Sequence, residues 1–94
     1  MTQPRYDLDQ WQELFWRRGD RIYSCALRQN LFGEWVLLRK WSGRRTGKGG
    51  QRETWCADFE DGQRLMQNIL KRRRYRGYEL DDYSRQDFDT LVES

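Results

Sequence analysis

Histidine is absent from this sequence, and proline occurs only at Pro4. Without histidine there is no Ser-His or Cys-His nucleophile pair, no usual general base near neutral pH and no His-containing zinc site. The two cysteines, Cys25 and Cys56, are too few for a four-thiolate zinc site, and the acidic residues show no paired catalytic spacing. We therefore expect a protein that is not an enzyme and that holds no metal or other cofactor.

Long apolar runs are also lacking. No stretch approaches the roughly 18 to 20 residues that cross a bilayer, and the N-terminal segment MTQPRYDLDQ has no apolar region of the signal-peptide kind. These absences predict a cytoplasmic protein with no membrane partner. In that reducing compartment most cysteine pairs remain thiols, so we expect Cys25 and Cys56 to be small buried thiols without a disulfide.

Aromatic residues and arginine are abundant. The 94 residues suffice for one domain, and five Trp, five Tyr and four Phe can build its core although only 36% of residues are hydrophobic. Residues 1–16 hold one base and three acids, residues 17–76 hold sixteen bases and six acids, and residues 77–94 hold one base and six acids. Thirteen of the sixteen central bases are arginine, which grips phosphate with two hydrogen bonds and stacks on rings. The charge pattern therefore predicts a polyanionic partner.

Turn residues and alternating apolar positions predict four antiparallel strands after a flexible N-terminal lead over residues 1–10. The predicted strands are Trp11–Arg18, Arg21–Gln29, Glu34–Trp41 and Gln51–Phe59. In the third strand, alternation places Trp35, Leu37, Arg39 and Trp41 on one face and Val36, Leu38 and Lys40 on the other. Gly19-Asp20 and Asn30 to Gly33 mark the first two reversals.

A helix is predicted over residues 61–75, because Leu65, Met66, Ile69 and Leu70 recur at helical spacing. Gly77 is expected just after its C-terminus. We predict an α+β fold in which this long amphipathic helix packs on one face of a small sheet of about four strands and leaves the other face partly open. The predicted domain covers residues 11–80, and an acidic tail with a short helix beginning near Ser84 covers residues 81–94.

Two basic segments each allow a structural and a functional interpretation. The segment WSGRRTGKGGQ (41–51) could be a soluble hairpin loop, or its glycines could let backbone N–H groups approach a phosphate that the basic side chains neutralise. It does not match the Walker pattern and does not open a helix, so we expect no binding of a nucleoside triphosphate. We also expect no small-molecule substrate. The segment KRRRYR (71–76) could complement the helix dipole or form a phosphate track. Trp41 could belong to the core or provide a stacking surface for a base.

The segments LFGEWVLLRKWSGR (31–44), GKGGQ (47–51) and KRRRYRGY (71–78) together resemble the WGR domain. This small module occurs in poly(ADP-ribose) polymerases and in short bacterial proteins. The resemblance covers about residues 11–80 and implies contact with DNA through the tryptophan and the basic residues. The family has Trp, Gly and Arg in succession, whereas Ser42 intervenes here. Either a one-residue bulge aligns Gly43 and Arg44, or Trp41 has shifted register.

Together these observations predict a nucleic-acid-binding protein that contacts the backbone or ends of DNA, or RNA, without strong sequence specificity. An alternative is an adaptor that docks a protein partner through the open aromatic face of the sheet. The acidic tail would be either a solvated segment or a competitor of the polyanion for the basic surface. The residues expected to contact nucleic acid are Arg39, Lys40, Trp41, Arg44, Arg45, Lys48, Arg72, Arg73, Arg74 and Arg76.

Overall fold

The computed structural model describes residues 6–43 and 45–81. The predicted helix near Ser84 and the residues of the acidic tail beyond Asp81 lie outside the described residues, as do Arg44 and the first five residues of the predicted lead. The described elements are a 3-10 turn at Leu8–Gln10, the strands β1 (Gln12–Arg18), β2 (Arg21–Gln29), β3 (Trp35–Gly43) and β4 (Gly49–Trp55), the helix α1 (Phe59–Tyr75) and the strand β5 (Glu79–Leu80).

The five strands form one antiparallel sheet in the order β4-β3-β2-β1-β5. The helix packs on one face of this sheet, so the predicted α+β class is confirmed. The structure adds β5, a two-residue strand that was not predicted and that pairs with Trp16 and Arg17. This strand forms because the chain turns back after Gly77, and the backbone N–H of Asp81 then donates to the carbonyl of Phe15 at 2.8 Å.

The predicted hairpin of β1 and β2 is confirmed, and β2 has the predicted bounds. Gly19 has φ of 58° in the turn, a conformation that costs glycine little. The alternating side chains of β1, β2 and β3 on the helix side form the core together with Met66 of α1. The buried core residues are Leu14, Trp16, Tyr23, Cys25, Leu27, Leu37, Cys56 and Met66. Cys25 and Cys56 are both free.

The fourth strand was predicted over Gln51–Phe59, but β4 begins two residues earlier, at Gly49, and ends at Trp55. The N–H of Cys56 donates to the carbonyl of Trp35 at 2.8 Å, and the chain then leaves the sheet. Asp58 caps the helix by accepting from the N–H of Asp61 at 2.8 Å, so α1 begins two residues earlier than predicted. Alternation continued past Trp55 in the sequence, but the cap and the buried thiol decide where the strand stops.

The C-terminus of α1 agrees with the sequence prediction. Gly77 has φ of 81°, and the N–H of Tyr78 donates to the carbonyl of Arg73 at 2.9 Å, which closes the last turn. No helix in the described ranges is long and apolar enough to cross a membrane. Within the predicted lead, Tyr6 donates its hydroxyl to the carbonyl of Leu31 at 2.7 Å, and the N–H of Asp7 donates to Gln29 at 2.7 Å.

Candidate nucleic-acid interface

Two turns and the C-terminus of the helix meet at one end of the sheet. Arg21 pairs with both Arg18 and Gly43, so the β1–β2 turn and the β3–β4 turn lie side by side. β5 follows α1 directly and pairs with Arg17, which brings the helix C-terminus to the same end of the sheet, at the β1 edge. We call this region the basic end. Its basic residues are Arg17, Arg18, Arg21, Arg45, Lys48, Arg72, Arg73, Arg74 and Arg76.

Few acidic side chains offset this charge among the described residues. Those at the basic end are Asp20, Glu79 and Asp81, and Asp81 pairs with Arg17 at 3.3 Å. The opposite end of the sheet carries the β2–β3 turn and the N-terminus of α1, with the acidic residues Glu34, Asp58, Glu60 and Asp61. The N–H of Ala57 and the guanidinium of Arg64 hold the pKa of Asp61 below its usual range, so this carboxylate stays charged. In the described part of the chain, positive and negative charge therefore separate toward opposite ends.

Trp41 lies beside the basic end on the helix side of β3. Its indole is 42% exposed and stacks on Tyr23, with the ring centroids 6.3 Å apart and the planes at 16°. Trp16 also contacts Tyr23, in an edge-to-face arrangement with the ring centroids 5.7 Å apart. The ring of Trp41 therefore combines the two sequence interpretations, because one part of it packs against the core and another part faces solvent. An exposed indole held in this way can stack on a base or sugar.

Arg73 has a role different from that of its neighbours in the helix. Its guanidinium carbon lies 4.3 Å from the ring centroid of Tyr23 and 5.1 Å from that of Tyr78. A guanidinium near aromatic rings at these distances is attracted to their negative faces. Arg73 therefore attaches the end of α1 to the sheet, whereas Arg72, Arg74 and Arg76 are exposed and can contact a ligand.

The glycines of the β3–β4 turn serve the fold. Gly47 has φ of 62°, and a Cβ added at Gly50 would lie 2.9 Å from the indole of Trp41. Inside the turn, the N–H of Gly43 donates to the carbonyl of Lys48, and the N–H of Gly47 donates to the carbonyl of Gly43. These two donors are already occupied, so the N–H groups of Gly43 and Gly47 do not support the interpretation in which the glycines approach a phosphate. The exposed side chains of Arg45 and Lys48 are the groups that this turn offers to an anion.

Strand pairing continues without a bulge through Ser42, which pairs with Ile22 and Gly49. Arg39 and Trp41 therefore share the helix side, and Lys40 lies on the opposite face of the sheet. There it borders a shallow depression with Phe15, Ala26 and Leu38. Lys40 was expected in the same site as Trp41, but the period-two geometry of a strand separates them. The expected contribution of Arg44 lies outside the described residues.

Four arginines at or near the site were not among the residues predicted from the sequence to contact nucleic acid. Arg17, Arg18 and Arg21 join the basic end, and Arg52 lies directly across from Arg39 on the helix side. The signal for the first three was present, because they flank the Gly19-Asp20 turn and a two-residue turn fixes the hairpin register. The position of Arg52 depends on where β4 begins, which the long glycine turn concealed.

The buried cysteines offer no chemistry at this site. Burial raises the pKa of Cys25 to about 12, an effect that outweighs the charge of Arg39 across the strand pair. Burial also raises the pKa of Cys56, and the nearby carboxylates of Asp61 and Asp58 raise it further. A thiol must ionise to act as a nucleophile or metal ligand, so both groups are inert near neutral pH.

Comparison with known proteins assigns no family. No protein-family model matches the chain, and no solved structure matches it. The chain is 41% identical over 62 residues to a protein of Sinorhizobium fredii (strain NBRC 101917 / NGR234) named "Uncharacterized protein y4dW". The matched segment is 66% of this chain but only 30% of that protein, so the chain corresponds to a minor part of its relative. The resemblance to the WGR domain stays a prediction.

Proposed function

We propose that this chain is a non-enzymatic, WGR-like module that binds the backbone or the ends of nucleic acid, with duplex DNA as the first candidate. The observation that carries the proposal is the convergence of arginines at the basic end beside the exposed indole of Trp41. These arginines come from β1, β2, the β3–β4 turn and α1, so the fold and not the local sequence collects them. The free buried cysteines support a location in the reducing cytoplasm.

The geometry supports contact with phosphates and gives no support for base-specific recognition. The exposed cations lie at turns and at a helix end, where flexible guanidinium and ammonium groups reach outward. Phosphate contacts of this kind position a protein on nucleic acid without conveying sequence information. Stacking on Trp41 would be equally tolerant of sequence, since every base has an aromatic face.

The exposed groups that would contact phosphates are Arg45, Lys48, Arg72, Arg74 and Arg76. For each phosphate that such a group contacts, a tenfold increase in salt concentration lowers the logarithm of the binding constant by about 0.9. Four to six contacts would therefore make the affinity fall steeply between low and physiological salt. Arg73 acts indirectly in this proposal, because its contacts with Tyr23 and Tyr78 hold the helix end in place.

Fluorescence anisotropy with labelled blunt duplex, nicked duplex and single strand, each over a salt series, tests the proposal. We expect measurable binding with a steep negative salt dependence, and we expect Trp41→Ala to weaken it by about 5- to 150-fold, which corresponds to roughly 1 to 3 kcal/mol of lost stacking. Trp55→Ala is the matched control, since this indole is 61% exposed on the other face of the sheet. Absence of binding to all three substrates at low salt would contradict the proposal.

A second candidate function is docking of a protein partner through the open face. Trp55 supports this candidate, because it is exposed on that face and its Nε1 donates to Glu34 at 3.0 Å, which holds the indole in place. Phe15 and Leu38 extend the apolar surface toward β1. In that case Trp55→Ala would abolish capture of the partner, and removal of the exposed arginines of α1 would leave it intact.

A further inference from the structure

Arg39 and Arg52 form a like-charged pair on the helix side of the sheet. The two residues are direct partners in the antiparallel pairing of β3 and β4. Like charges directly opposite each other in a sheet are destabilising. The neighbouring positions on this side are Trp41, Gly50 and Thr54, none of which carries a negative charge. Within the described ranges, neither arginine forms an ion pair, so the repulsion has no internal compensation.

Two guanidinium nitrogens near this pair are buried without a partner. In the described part of the chain, the Nε atoms of Arg39 and Arg73 have no hydrogen-bond acceptor. A buried donor without an acceptor is unfavourable, because it has lost its water and gained nothing in return. Tyr23 connects the two arginines, since its ring lies under the guanidinium of Arg73 and its strand neighbour Cys25 pairs with Arg39. Arg39, a member of the pair, therefore carries a donor that no described residue satisfies, and its terminal guanidinium nitrogens are the groups that remain for an oxyanion.

The surface beside this pair is open to solvent. The helix packs on β2 and β3, and Arg52 on β4 is exposed. Trp41 follows Arg39 by two residues on the same side of β3 and leaves 42% of its surface uncovered. A ligand can therefore reach the arginine pair from the β4 edge, with the indole on one side and the helix on the other.

We propose that Arg39 and Arg52 bind a phosphate group between them. The oxygens of a phosphate accept from several N–H groups at once, and guanidinium forks match this geometry. The bound anion would attract both guanidinium groups and so offset the repulsion between them. This inference deepens the proposed function by locating one phosphate contact, and it rests on that function only for the source of the phosphate.

Thermal unfolding tests the site without nucleic acid. We expect inorganic phosphate to raise the Tm above its value in sodium chloride of equal ionic strength, by about 5 to 10 °C at ten times the dissociation constant. In Arg52→Gln the repulsion is relieved, so we expect a higher Tm in chloride than for the natural chain, together with loss of the phosphate effect. Arg28→Gln on the other face is the matched control and should keep the full phosphate effect. Equal phosphate effects in the natural chain and in Arg52→Gln would overturn the site.

Nucleic-acid binding by the same variants distinguishes the source of the phosphate. If the site holds a backbone phosphate, Arg52→Gln should weaken duplex binding and reduce the salt slope by about 0.9. A phosphate effect on Tm with unchanged duplex binding would keep the site and assign it to a small phosphorylated ligand. If Arg52→Gln leaves duplex binding unchanged and phosphate has no effect on the Tm of the natural chain, this inference is wrong and the proposed function still stands. A phosphate effect in a protein that binds no nucleic acid would overturn the proposed function alone.

Discussion

Single residues within the run KRRRYR differ sharply in environment. Arg73 is half-buried between two aromatic rings, whereas Arg74 is exposed. The run of like residues gives no sign of this difference, because helical geometry alone decides which arginine faces the sheet. The charge of Arg73 is therefore used largely inside the fold, and the charge of Arg74 is available outside it.

We expect Arg73→Ala to lower the free energy of unfolding by about 1 to 2 kcal/mol, through loss of the cation–π contacts and of the buried aliphatic stem. Arg74→Ala is the paired control and should change stability by no more than about 0.5 kcal/mol. Urea denaturation followed by circular dichroism measures both. Equal stability of the two variants would show that the contacts with Tyr23 and Tyr78 contribute little.

Trp41 and Gly50 show how one residue makes room for another. A side chain at Gly50 would meet the indole at 2.9 Å, so the glycine on β4 allows the tryptophan on β3 to lie across the neighbouring strand. For the cluster of glycines between β3 and β4, the sequence allowed two interpretations, a soluble hairpin loop or a loop whose backbone approaches a phosphate. The structure gives these glycines packing and turn roles, and the side chains of Arg45 and Lys48 remain for the anion.

At the scale of elements, α1 is attached to the sheet by a close approach at its first turn. Gly62 is buried, and a Cβ built there would lie 2.4 Å from Cδ1 of Leu27, a core residue with no exposed surface. The helix can therefore lie close to β2 only because Gly62 has no side chain. This close contact also helps to set the direction of the helix axis, and the arginines at the C-terminus of α1 therefore lie at the basic end.

We expect Gly62→Ala to destabilise the protein by about 1 kcal/mol, and by no more than about 2 kcal/mol. Overpacking against Leu27 costs about 1 to 3 kcal/mol, and the better helix propensity of alanine returns roughly 1 kcal/mol of this. Asn68→Ala, at an exposed position of the same helix, should be neutral or slightly stabilising. Denaturant midpoints of the two variants check the prediction, which a Gly62→Ala protein as stable as the natural chain would refute.

Most elements could be predicted from the sequence because their signals are local. Gly19-Asp20 defined the first hairpin, alternation defined β2, and the spacing of Leu65, Met66, Ile69 and Leu70 defined the helix. The predicted end of β4 was wrong because Cys56 is buried and bonds to Trp35 through tertiary contacts, and because the local N-cap at Asp58, three residues before Asp61, was not recognised. β5 was missed for the same reason, since two residues carry no periodicity and pair only because the helix delivers them to β1.

The candidate site was less predictable than the fold. Arg39, Trp41 and Arg73 were predicted as site residues, and the structure places Trp41 and Arg73 against Tyr23 and Arg39 opposite Cys25, the next residue of β2 on the helix side. Lys40 is adjacent to Trp41 in sequence but lies on the other face. Arg18 and Arg21 enter the basic end through strand register. Sequence distance is a poor guide to such a surface, because pairing across a sheet joins residues whose separation depends on loop lengths.

In the described part of the molecule, basic and acidic residues lie at opposite ends. The basic end combines the two turns and the helix C-terminus, and the helix N-terminus with the β2–β3 turn carries acidic residues at the other end. A net charge of only +3 conceals this arrangement. A polyanion approaching such a molecule would be attracted to one end, which orients the encounter before contact.

The most direct measurement compares two triple variants with the same net charge in duplex-binding anisotropy at low salt. The first replaces Arg72, Arg74 and Arg76 at the basic end by glutamine, and the second replaces Arg28, Lys40 and Arg64, which lie elsewhere, by glutamine. The proposed site predicts that the first triple variant loses at least tenfold in affinity and shows a flatter salt dependence, while the second binds nearly as well as the natural chain. Equal weakening by the two triple variants would show that net charge alone governs binding and would contradict a localised basic end.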